Sequence, residues 1–139
     1  MIMKNRLSVV ITMFSLMAFS CVNNKGVVCT MEYRMLTVSI VDSVSKPVVL
    51  DKYFVKKTAT GQVLDYSRIE PTLDSINRIR GIYFVITDSQ FNLTNENGDE
   101  FVFHGIRDSL EVVTEKYILG NDGCHVQMLS GKKTIVTGR

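Results

Sequence analysis

Tryptophan is absent, proline occurs only twice, at Pro47 and Pro71, and neither sign of charge is in large excess. Scarce proline together with a 45% apolar and 22% charged composition gives no sign of disorder and matches an ordinary folded domain. The formal charge of +2 includes Lys4 and Arg6, and without them the chain carries fourteen basic and fourteen acidic residues. Nucleic acid is therefore not an expected partner. Lys56-Lys57 and Lys132-Lys133 are isolated pairs that read as solvated positions rather than phosphate clamps. No Gly-rich phosphate loop, dinucleotide fingerprint or CxxC pair occurs.

A long apolar run is also missing. Met1 to Arg6 is basic, and Leu7 to Phe19 is apolar apart from Ser8, Thr12 and Ser15. A run of about 13 residues rising about 1.5 Å each is too short for a hydrocarbon core about 30 Å thick. Export followed by cleavage fits better than a permanent span.

Met17-Ala18-Phe19-Ser20-Cys21 resembles a lipobox, the processing site of bacterial lipoproteins. The resemblance implies a signal peptide over residues 1–20, lipidation of Cys21, a tether over 21–28 and a domain over 29–139. Residue 22 is Val rather than Asp, which implies the outer membrane, with the face left open. The membrane is then one partner, through the lipid. Lipidating Cys21 leaves Cys29 and Cys124 as an even pair in an oxidising compartment. A disulfide between them would close a loop worth about 4 to 5 kcal/mol and tie the first strand to the last. The alternative is that Cys124 and His125 serve a hydrolase or redox enzyme.

Leu36 to Val41 alternates apolar and polar residues with the period of a half-buried strand. Further strands are expected over Val48 to Lys57, Gln62 to Tyr66, Ile82 to Thr87, Phe91 to Thr94, Phe101 to Phe103 and Glu111 to Leu119. His125 to Leu129 and Lys132 to Thr137 read as a last hairpin about Ser130-Gly131. Between them, Ile69, Leu73, Ile76 and Ile79 are spaced as one helical face, with Pro71 at its start and Gly81 at its stop, so residues 67–80 read as a short helix or an irregular crossover. Seven or eight short strands point to an all-β, antiparallel sandwich of transthyretin-like or immunoglobulin-like type.

The order Thr37 to Asp42, Lys46-Pro47-Val48, Thr87-Asp88 and Gly98 before Phe101-Val102-Phe103 resembles the carboxypeptidase regulatory-like, transthyretin-like domains. Ser45 stands where a glycine usually precedes the Lys-Pro pair. With the leader and cysteines, the whole resembles the small outer-membrane lipoproteins of Bacteroidota. That implies a binding or accessory module rather than a catalyst.

No catalytic, metal or cofactor residue stands out. His104 and His125 have no second ligand at a metal spacing, and Asn95, Asn97 and Asp99 miss the calcium-loop order because Gly98 intervenes. Tyr53, Phe54, Tyr83, Phe84, Phe101 and Phe103 read as core packing, with a glycan-binding face as the alternative use. A protein or a glycan is the partner expected of the domain.

Overall fold

The computed structural model describes residue 26 and residues 28–138. The alternating stretch forms β1 (Met35–Asp42), burying Val38 and Ile40 completely. β2 (Lys52–Lys57) turns into the short β3 (Val63–Leu64), and the two pair antiparallel as the expected hairpin. After two helices come β4 (Ile82–Thr87), β5 (Asp99–Arg107), β6 (Leu110–Asn121), β7 (Val126–Ser130) and β8 (Thr134–Thr137). They build one sheet in the order β4-β1-β8 and another in the order β3-β2-β5-β6-β7. The fold is an all-β sandwich of eight strands.

The core lies between the sheets. Tyr53 stands 4.9 Å from Tyr83 and 5.5 Å from Phe103, ring centre to ring centre, so three aromatic side chains bridge the two layers. Such pairs add about 0.5–1.5 kcal/mol each beyond their burial. Tyr83 also donates its hydroxyl to the Val48 carbonyl at 2.7 Å and accepts from the Leu50 amide at 2.8 Å. These bonds explain why β2 begins at Lys52 rather than Val48. The backbone of Val48 and Leu50 is already spoken for by the opposite sheet.

The segment after β3 is helical. Asp65 caps α1 (Tyr66–Ile69), its carboxylate accepting from the Ser67 amide at 3.2 Å, and Pro71 opens α2 (Pro71–Ile79). The apolar helical face read from the sequence exists, but it points outward: Leu73 is 41% exposed, Ile76 48% and Ile79 75%. The inward face is polar. Asp74 is 4% exposed and takes the Tyr53 hydroxyl at 2.5 Å and Arg78 Nε at 2.9 Å. Arg78 also reaches the Asp51 carbonyl at 2.9 Å and lies over the Tyr53 ring. Gly81 stops the helix at φ +65°, where a Cβ would come within 2.6 Å of the Ile40 carbonyl.

Three expectations are corrected. Asp88 to Leu93 forms two short 3-10 turns that meet at a kink at Gln90, so the strand expected over Phe91 to Thr94 is absent, and Gln90 folds back onto the Thr87 amide and hydroxyl. β7 and β8 do not form a hairpin: β7 pairs with β6, and β8 crosses to the other sheet. Gly131, at φ +138°, turns the chain over Tyr117, where any side chain would run into the ring. Finally, β8 runs parallel to β1, so the sandwich is not wholly antiparallel. A strand arriving from across the sandwich has no tight turn to force it antiparallel. Among the described residues, no helix is long and apolar enough to cross a membrane.

Candidate functional site

Residues 28–34 form a strap ahead of β1 that is fastened to the turn between β6 and β7. Cys29 and Cys124 are joined in a disulfide, their Cα atoms 5.4 Å apart. The expected pair is present, but it ties the strap to the β6–β7 turn rather than the first strand to the last. Asp88, just after β4, holds the centre of the joint. Its Oδ1 accepts the Val126 amide at 2.9 Å, and its Oδ2 accepts the Arg34 amide at 2.7 Å and His125 Nδ1 at 2.7 Å. A carboxylate only accepts, so Nδ1 carries a hydrogen, and Nε2 faces the Thr30 hydroxyl at 3.1 Å. Burial pushes the Asp88 carboxyl up, but the two amides and His125 outweigh it and hold it below the usual carboxylate range.

Asp122 repeats the device in the turn. Its carboxylate accepts the His125 amide at 2.7 Å and the Cys124 amide at 2.9 Å, and it pairs with Arg34 at 3.3 Å. The His125 and Cys124 amides, in that order, hold it far below the ordinary value. Tyr33 completes the strap by donating to Thr87 Oγ1 at 2.9 Å.

Asp88, His125 and Thr30 have the composition of a hydrolytic triad, so their surroundings decide their chemistry. His125 is 7% exposed, and both ring nitrogens are engaged. The amides of Arg34, Val126, Cys124 and His125, the donors an oxyanion would need, are directed at Asp88 and Asp122. The arrangement fastens the strap, and these backbone donors are already spent on carboxylates. Cys124, spent in the disulfide, has no free thiol.

His104 belongs elsewhere. It pairs through Nδ1 with Glu111 on the outer face of the five-stranded sheet and stacks on Phe54 at 4.7 Å. Its bond holds the Glu111 carboxyl below the usual range, with the Thr114 hydroxyl adding to it. Of the six aromatics considered for a glycan face, Tyr53, Tyr83, Phe84, Phe101 and Phe103 are buried, and Phe54 lies against His104. Asn95, Asn97 and Asp99 close their turn on one another: Asn95 Oδ1 accepts the Asn97 amide, and Asp99 accepts from Asn95.

Next to the strap lies a cleft of about 460 Å³ between residues 34–37 and residues 126–128, with Lys133 at one end. That is within the usual size range of ligand pockets. Asp88 and Thr30 carry the joint, yet in the sequence Asp88 stood only as part of the Thr87-Asp88 turn and Thr30 not at all. Their partners lie 37 and 95 residues away. Cys21, the signal peptide over residues 1–20 and the tether up to residue 25 lie outside the described residues.

The fold and joint define a disulfide-strapped β-sandwich. No protein-family model matches the chain, and no curated protein or solved structure matches it.

Proposed function

We propose that this chain is a non-catalytic lipoprotein of the cell envelope, anchored in the outer membrane through Cys21 and presenting its sandwich as a binding or accessory module. The observation that carries this is the Cys29–Cys124 disulfide. It supports an oxidising compartment and uses two of the three cysteines, leaving Cys21 as the one outside the bond. A lipid on Cys21 accounts for the odd cysteine. The hydrolase or redox reading through Cys124 and His125 is disfavoured, because the sulfur is bonded and the ring is buried.

The kinship with transthyretin-like domains belongs to the same proposal and draws support from one turn. Ser45, where those domains usually carry glycine, has φ +63°, a conformation that glycine adopts at no steric cost. Asp42 receives the Val44 and Lys46 amides around it, each at 2.9 Å.

Mass spectrometry of protein extracted from membranes tests the anchor. The expected mature chain begins at a diacylated Cys21, and Cys21→Ala releases the domain into the soluble fraction. A mature chain that retains Met1, or one that begins elsewhere without lipid, overturns the reading.

A further inference from the structure

α2 turns its polar side to the sandwich and its apolar side outward. Asp74 and Arg78 are held inward by Tyr53 and Asp51. Leu73, Ile76 and Ile79 face away, and Ile69 at the end of α1 is exposed as well, so four aliphatic side chains stand between 38% and 75% exposed. A surface helix ordinarily presents the reverse arrangement, and a contiguous exposed apolar patch marks a contact surface.

The charges around this face have one sign. Of the charged residues between 66 and 80, Arg68 and Arg80 are exposed, whereas Glu70 is half-buried and Asp74 buried. Arg68 is shared with Asp65 at 3.5 Å, and Arg80 has no carboxylate partner among the described residues. The face therefore complements an anionic surface.

The place where the chain leaves the sandwich selects that surface. The Tyr66 hydroxyl donates to Gln90 just past β4 at 3.1 Å, and Gly81 joins α2 to the start of β4, so the helical flank runs back along that strand. The strap meets the far end of β4, at Asp88. From Cys29, eight residues lead back to Cys21, a reach of at most about 26–29 Å. The six residues of β4 span about 20 Å. A lipid on Cys21 is thus within reach of the plane of the helical face. The outward apolar side chains are aliphatic, with no aromatic among them, which suits a hydrocarbon boundary better than a protein pocket.

We propose that the α2 face, Leu73, Ile76 and Ile79 with Arg80, rests on the anionic surface of the membrane that holds the lipid anchor. The aliphatic side chains enter the headgroup boundary, and Arg80 pairs with a lipid phosphate. So small a face binds weakly alone; the tether supplies the effective concentration, and the helix sets the orientation of the sandwich. This rests on the lipid-anchored reading, and the two fail separately: mass spectrometry tests the lipid, and the experiment below supplies a tether of its own.

Because the chain has no tryptophan, Ile76→Trp creates a single fluorescent reporter. The full chain is coupled through the Cys21 thiol to maleimide-bearing lipid in vesicles of phosphatidylethanolamine and phosphatidylglycerol. Emission from Ile76→Trp is expected to move to shorter wavelength and to be quenched by lipids brominated along their acyl chains. Val136→Trp, at a 64% exposed position on β8 at the other edge of the sheet, should show neither change. Adding Arg80→Glu to the Ile76→Trp chain is expected to lower the docked-to-free ratio about tenfold. Replacing phosphatidylglycerol with phosphatidylcholine should lower it in the same direction.

Equal quenching of the two reporters, or none at Ile76→Trp, would overturn the proposal. So would a blue shift of Ile76→Trp in the uncoupled chain that grows with protein concentration, which would give the face to a second copy. Quenching that neither Arg80→Glu nor the lipid charge alters would overturn the anionic surface. Ile79→Trp, at the most exposed of the three positions on α2, reads the same outcomes if Ile76→Trp fails to fold.

Discussion

Asp74 is the side chain on which the helical flank depends. Replacing it with Ala leaves the buried Tyr53 hydroxyl and the Arg78 guanidinium without their acceptor. An expected loss of about 1–3 kcal/mol in urea unfolding follows, while Ile76→Ser, on the exposed face, should change stability by under about 0.5 kcal/mol. Ser45 is strained in the opposite sense. A left-handed non-glycine residue costs about 1–2 kcal/mol and glycine's extra chain entropy about 0.5–1 kcal/mol. Ser45→Gly should thus raise stability by about 0.5–1 kcal/mol in the same assay. Asp88 and Asp122 set the acid limit, because both carboxyls are held below their unfolded values. Their stabilisation is fully present above about pH 4 and is lost as the pH falls through the lowered values. Asp122→Asn should flatten the acid limb of a melting-temperature profile, and an unchanged limb would show that the turn carries no such linkage.

At the scale of elements, the period-two alternation in β1 was readable because the strand buries one face against the opposite sheet. The helical spacing of Ile69, Leu73, Ile76 and Ile79 was equally readable, and α2 forms, but its orientation was not. Periodicity reports that a helix has two faces. Which face turns inward depended on Tyr53, a residue of β2 whose hydroxyl needs an acceptor. The β7–β8 hairpin was misread because Ser130-Gly131 has the composition of a tight turn. Gly131 is instead required by the Tyr117 ring, fourteen residues earlier. The Cys29–Cys124 pair came from counting cysteines, whereas the Asp88–His125–Thr30 joint is assembled from three distant stretches, and the Thr87-Asp88 turn by itself does not reveal its partners. The strap itself is testable. The disulfide closes a sequence separation of 95 residues, so reduction should cost about 4 to 5 kcal/mol and lower the melting temperature by many degrees.

For the molecule as a whole, the sandwich buries four of its five tyrosines. Burial pushes Tyr53, Tyr66 and Tyr117 well above the ordinary phenol value and raises Tyr83, with Asp74 adding to the effect at Tyr53 and Glu115 at Tyr117. Stability from these groups is present below about pH 10 and is lost as the pH climbs toward the raised values. Titration of tyrosinate absorbance should show these four ionising together with loss of the fold, and gradual ionisation of a folded protein would contradict the packing described. The strap also has a mechanical meaning. A pull on the N-terminus enters the fold at Cys29 and passes through a covalent bond to Cys124 in the β6–β7 turn, bypassing the β1–β4 ladder. The closed span between the cysteines cannot lengthen under tension while the bond is intact.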